Sequence, residues 1–163
     1  SSGTLRWSDA APADRPALLA AARQLTGAVH PGLDVTREIE SVTARGLGDI
    51  VLTGSADAPD GLAICHCGPG SEAGSGACYV KFGAVRPGAD GADRLAALLE
   101  ACGALARARG LAAVLAGVNT ARRTAYRTLL ARGWRAELIG IAMHRHDDPV
   151  TCHADALVLD DWR

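Results

Sequence analysis

ACYVKFGAVRPGADGADRLAALLEACGALARARGLAAVLAGVNTARRTAYRTLLARGW, residues Ala77 to Trp134, decides the fold of this chain. The run CYVKFGAV is rich in β-branched and aromatic residues and reads as a strand. RPGADGAD holds one Pro and two Gly and must turn. Leu95, Leu98, Leu99, Cys102, Leu105 and Ala106 then recur at i, i+3, i+4, i+7, i+10 and i+11, one apolar face at helical period, and Gly110 ends the helix. AAVLAGVN is short and almost wholly apolar, as expected of a parallel strand buried on both faces. A second helix follows, and Gly133-Trp134 turns the chain back toward the sheet. Strand, helix and parallel strand make a right-handed crossover. A ligand site is expected where the first strand ends and the helix begins.

A chain of 163 residues is one domain by size, expected to span residues 4–163. Ser1-Ser2-Gly3 reads as a scar of tag cleavage and is set aside. The net charge of −1 argues against nucleic acid as a partner. No run approaches the roughly 18 apolar residues of a membrane span. Five cysteines without an export signal point to free thiols in a reducing cytoplasm. Of the 17 basic side chains only Lys81 is a lysine, a bias of GC-rich coding in a bacterial-like composition.

Outward from the central stretch, Thr4–Trp7 reads as an edge strand. Pro12, Asp14 and Pro16 suit a helix start, with Leu18, Leu19, Ala22 and Leu25 as its apolar face. A second helix begins near Asp34 and carries Val35, Ile39 and Val42. Asp49–Thr53 and Gly61–Cys67 read as strands, and Gly68–Gly76 as a long hairpin loop. Past Trp134, residues Arg135–His144 alternate as a strand with Ile139, Ile141 and Met143 on one side. Asp155–Leu159 is a last strand.

The resulting order, β-α-α-β-β-β-α-β-α-β-β, closely resembles the GNAT superfamily of acyl-CoA N-acyltransferases. The resemblance also rests on Val85-Arg86-Pro87 leaving the fourth strand, and on Ala125 with Gly133-Trp134 matching the family's A-x-x-x-Y-x-x-x-G-F/W ending. It implies an α/β fold with a mixed sheet of about seven strands and four helices. It further implies transfer of an acyl group from acetyl-CoA, or another acyl-CoA, to a small-molecule or peptide amine. A homodimer is compatible with it. The alternative is a catalytically inactive GNAT-like domain used for ligand binding or for packing on a partner domain.

In the family, the pantetheine amides of coenzyme A pair with the free edge of the fourth strand, here Gly83 and Val85. The pyrophosphate sits on amides at the next helix N-terminus, here Gly91 and Ala92. The family's loop Q/R-x-x-G-x-G/A falls on Asp90, Gly91, Asp93 and Leu95, so Gly91 alone is kept. Asp93 reads as the helix N-cap, and Leu95 as bulk facing the pyrophosphate. Carboxylates beside an anion predict weak binding, with a dissociation constant on the order of 100 μM or worse. Arg86 and Arg94 could offset part of that charge.

Counting back from Gly133, the family's catalytic Tyr falls on Leu129 and its Asn on Arg122. A Tyr and an Asn stand three residues earlier, at Tyr126 and Asn119. Tyr126 is the candidate general acid for the departing thiolate, or else it packs with Leu129 and Leu130. Asn119 and Arg122 are candidate cofactor contacts, with capping and a solvated face as the plainer readings. His66 and Glu72 are candidate bases toward the amine. Cys65-His66-Cys67, Cys78 and Cys152-His153 carry metal-ligand residue types, but C-x-C is not a zinc-knuckle spacing, and no metal is assigned. Buried apolar thiols are the expectation.

Overall fold

The computed structural model describes residues 3–141 and 155–160. Alternating apolar residues build the first three antiparallel pairs: β1 (Gly3–Arg6) on β2 (Gly48–Gly54), β2 on β3 (Pro59–Cys67), and β3 on β4 (Ala77–Val85). Gly3, set aside as a tag scar, pairs with Gly54 as the first residue of β1. Helix α3 (Gly91–Ala108) crosses over to β5 (Ala113–Ala116), which pairs parallel with β4, as the central stretch demands. Helix α4 (Arg123–Ala131) follows. Gly133, at a positive φ of 81°, closes its end: the amides of Gly133 and Trp134 donate to the carbonyls of Leu130 and Leu129. Two helices precede the sheet's centre, α1 (Arg15–Val29) and α2 (Thr36–Ala44).

The period-2 alternation sorts the core into two layers. Ile50, Leu52, Leu62 and Ile64 face α1 and α2, where they meet Leu18, Leu25, Ile39 and Val42. Val51, Ala63, Cys65 and Val80 face the other layer, where they meet Leu95, Leu98 and Leu105 of α3 and Ala125 and Leu129 of α4. Leu98 and Leu105 are fully buried, so the helical stripe read from the sequence is the packed face.

Three expectations are corrected. The sheet has six strands among the described residues, against about seven expected. The strand expected over Arg135–His144 is absent over its described part, to residue 141; Leu138, Ile139 and Ile141 are 78%, 87% and 88% exposed. A strand needs a partner edge for its backbone groups, and this segment pairs with none among the described residues. Met143 and His144 lie outside the described residues, as do Cys152 and His153. β5 is only half-buried rather than covered on both faces, because β4 is its sole described partner. The last strand, β6, runs from Val158 to Asp160, and its partner is β4.

Candidate functional site

β4 serves two partners in turn. Its first half, Ala77–Val80, pairs parallel with Ala113–Ala116 of β5. The register against β3 then slips, Cys65 facing Val80 and Ile64 facing Phe82, so Lys81 is an extra residue. Such a bulge bends the strand and increases its twist. β4 leaves β5 at this point, and a slot opens along Phe82–Val85. β6 fills that slot antiparallel: Phe82 faces Asp160, Gly83 faces Leu159, and Ala84 faces Val158. The Val85 amide donates to the Leu157 carbonyl at 3.2 Å. Gly83 and Val85 therefore do not present the free edge expected of them. The segment alternates like any buried strand: Leu157 and Leu159 enter the α3-side core and Val158 the opposite one.

α3 starts just past the end of β4. Asp90, not Asp93, occupies the N-cap position, without a side-chain cap bond. Asp93 is exposed in the first turn, where a carboxylate suits the helix dipole. Leu95 is fully buried in the α3-side core and so lends no bulk to the helix terminus. Gly91 is buried and Ala92 half-buried. A Cβ placed on Gly91 would stand 2.2 Å from Leu157 Cδ1, so the Leu157 side chain lies on the bare first turn. Of the two arginines expected to soften the charge, Arg86 serves the loop, its Nη2 donating to the Pro59 carbonyl at 3.1 Å. Arg94 both donates from Nη1 to the Arg86 carbonyl at 3.1 Å and lies 4.0 Å from Asp90 and 3.5 Å from Asp60, offsetting part of the charge as expected.

The start of α4 closes the other end of the slot. Asn119 Oδ1 accepts the Ala121 amide at 2.9 Å, a local turn bond. Arg122 is only 5% exposed. Its Nη1 and Nη2 donate to the two carboxylate oxygens of Asp160 at 2.5 and 2.9 Å, and Nη1 also donates to the Val158 carbonyl at 3.2 Å. This bidentate geometry is the strongest form of arginine–carboxylate pair. Tyr126 is half-buried one turn along; Leu129 beside it is buried, whereas Leu130 is 46% exposed and belongs to no packed face.

The structure thus gathers Gly83, Val85, Gly91 and Arg122 around a single feature, Leu157–Asp160, which the sequence reading did not connect to them. An Asp at the end of a short apolar strand carries no signal of an Arg partner so distant in sequence.

His66 and Glu72 also meet, on the α2 side. His66 is 3% exposed; its Nδ1 accepts the Glu72 amide at 3.3 Å, and its Nε2 lies 3.9 Å from Glu38 Oε1. Burial lowers the His66 pKa from its usual range, outweighing the opposing pull of Glu72. Lys81 pairs with Glu72. These groups line a cavity of about 460 Å³. His66 stands opposite Tyr79, four residues before Gly83, or roughly 13 Å at the rise of a strand.

The thiols lie on the other face. Cys67 and Cys78 are directly opposite across the β3–β4 pair with sulfurs 3.7 Å apart, and Cys65 lies 3.8 Å from Cys102. All four are free. The Cys78 thiol is pushed down because Cys65 and Cys67 donate to it, and theirs are raised. His66 points away from them, so the C-x-C run does not converge on one point. No helix among the described residues is long and apolar enough to cross a membrane.

No protein-family model and no curated protein sequence matches the chain. Solved structures do. An acetyltransferase candidate from an Arthrobacter species is 24% identical, with 91% of this chain and 97% of that one covered at a TM-score of 0.62. A transcriptional regulator from Bacillus halodurans is 17% identical, with 89% and 100% covered at 0.64. A predicted acetyltransferase from Clostridium acetobutylicum, solved with acetyl-CoA, is 16% identical, with 90% and 100% covered at 0.54. At these identities the likeness speaks of architecture. Together with the element order and the parting of β4 from β5, it shows that the chain has the GNAT fold.

Proposed function

We propose that the chain is a GNAT-type acyltransferase that moves an acyl group from acetyl-CoA, or another acyl-CoA, to a small-molecule or peptide amine. One observation carries this reading: β4 parts from β5 at the Lys81 bulge, so the Phe82–Val85 edge is left to an extended chain, a place that β6 takes in this structure. Such an edge suits the amides of a pantetheine arm. The Ala92 amide at the helix start, beside the Gly91 amide that donates to the Gly88 carbonyl at 3.1 Å, suits its pyrophosphate. Asn119 and Arg122, at the head of α4, would border the arm.

The chemistry is direct attack of a neutral amine on the thioester carbonyl. The thiolate leaves with a proton from Tyr126 or from water. His66, held neutral by burial, and Glu72 are candidate bases for a long acceptor, given their distance from Gly83. A second reading, a GNAT-like domain without activity, is favoured by β6 lying in the slot.

The deciding experiment is calorimetric titration with acetyl-CoA of the wild type and of Asp93→Gly, at two salt concentrations, beside a turnover assay with a panel of amines. The expected wild-type dissociation constant is on the order of 100 μM or weaker. Asp93→Gly should tighten it slightly, and the gain should shrink as salt rises because Asp93 is exposed. Tyr126→Phe should lower any turnover by about 10²–10⁴-fold if the phenol is the acid. Absence of binding by both proteins, with β4's edge shown to be open, would remove the coenzyme reading.

A further inference from the structure

Four of the positions assigned above to the ligand, Gly83, Val85, Gly91 and Arg122, are already covered by the same short segment, Leu157–Asp160. The Val85 amide donates to the Leu157 carbonyl. Gly83 is in register with Leu159. The space over Gly91 holds the Leu157 side chain. Arg122 grips the Asp160 carboxylate with both terminal nitrogens. β6 is also held along one edge only, since β4 is its one described partner. Its departure would break a single three-residue ladder and leave the β1–β5 sheet intact.

We infer that Leu157–Asp160 is an intrasteric competitor: a strand of the chain that occupies the β4 slot in place of the extended ligand and must leave before that ligand binds. The inference rests on the coenzyme A reading of the slot. It gives the Arg122–Asp160 pair a function, as the latch that holds the competitor down. The measured affinity for acyl-CoA is then the intrinsic affinity reduced by the fraction of molecules with β6 released. The competitor is tethered, so dilution does not remove it. The latch can be tested apart from the ligand, because releasing β6 exposes the Val85 amide to solvent whether or not coenzyme A is present.

The experiment compares the wild type with Asp160→Asn, which keeps the shape and removes the charge, and with Leu157→Ala, which weakens the other end of the strand. Amide hydrogen exchange at Gly83 and Val85 reads release, and titration with acetyl-CoA reads affinity. Both variants are expected to speed exchange at Val85 and to tighten acetyl-CoA binding by about tenfold or more, the factor by which the released fraction rises. In the wild type, saturating acetyl-CoA is expected to protect Gly83 and Val85 while exposing the amide of Leu159, which faces β4. Faster exchange with unchanged affinity would overturn the competitor and leave the coenzyme site standing. Unchanged exchange in both variants would overturn the latch. Fast exchange with no acetyl-CoA binding by any of the three proteins would dispose of the coenzyme reading and of this inference with it.

Discussion

Gly91→Ala and Leu157→Ala together test whether β6 reaches the start of α3. The added Cβ would stand 2.2 Å from Leu157 Cδ1, about 1.3 Å inside the ~3.5 Å of an ordinary carbon contact. The obstacle is the far end of a side chain, so Leu157 can turn. It is 8% exposed and packed in the α3-side core, and turning costs about 0.5–1.5 kcal/mol in rotamer strain plus some lost packing. Against this, Ala is a better helix residue than Gly by up to ~1 kcal/mol, less at a first-turn position. Gly91→Ala alone should therefore destabilise by about 1 kcal/mol. Leu157→Ala alone should cost about 2–3 kcal/mol, the low end for a buried leucine at the margin of a core. In the double variant the obstacle is gone and the helix gain remains, so Gly91→Ala should become neutral or slightly stabilising. The coupling is then about 1–2 kcal/mol in favour of the double variant. Urea unfolding of the four proteins, with a common m-value, measures it. If Gly91→Ala costs the same in both backgrounds, Leu157 does not lie on α3, and the account of the slot fails.

Two further predictions follow from buried groups. Because burial lowers the His66 pKa below its unfolded value of about 6.5, the unfolded chain binds more protons in the interval below that value. Wild-type stability should accordingly fall as pH drops from about 7 through the folded pKa, and His66→Gln should lose that component; parallel pH profiles of the urea midpoint for the two proteins would contradict it. Of the four described thiols, half-buried Cys67 and its neighbour Cys78, whose thiol is pushed down, should react with a thiol reagent in the native protein ahead of buried Cys65 and Cys102. Peptide mapping after a timed reaction reads the order, and early labelling of Cys65 or Cys102 would show that the α3-side core is open.

The parts of the fold that depend on local chemistry were legible. The stripe from Leu95 to Ala106 is the buried face of α3, the glycines from Gly68 to Gly76 form a hairpin loop, and the crossover from β4 to β5 is parallel. The parts that depend on distant partners were not. Arg135–Ile141 alternates well enough for a strand, but alternation supplies no edge to pair with. Asp93 carries the residue type of an N-cap, yet the helix begins at Gly91 and puts it inside the first turn; a shift of a few residues in the boundary changes the role. Leu95 was aligned to a ligand-facing position, and its place in the apolar stripe was the better guide. The candidate residues around the slot were found through a resemblance, but nothing in their own neighbourhoods foretold that Leu157–Asp160 would lie across them.

How firmly that segment lies there follows from comparing two terms. Docking buries Leu157, Val158 and Leu159, which at roughly 2 kcal/mol each contributes about 6 kcal/mol. Ordering the four residues Leu157–Asp160 costs about 1.5 kcal/mol each in chain entropy, again about 6 kcal/mol. Apolar burial and chain ordering therefore nearly cancel, and the balance passes to the polar contacts: the short ladder on β4 and the bidentate Arg122–Asp160 pair. Hydrogen bonds in the ladder contribute about 1 kcal/mol each. Removing one partner of a buried ion pair costs about 3–5 kcal/mol, more than the rest of the surplus. One carboxylate thus decides whether β4 keeps its own strand or takes another, and Asp160 is the position at which a single substitution should move this equilibrium furthest while leaving the β1–β5 sheet untouched.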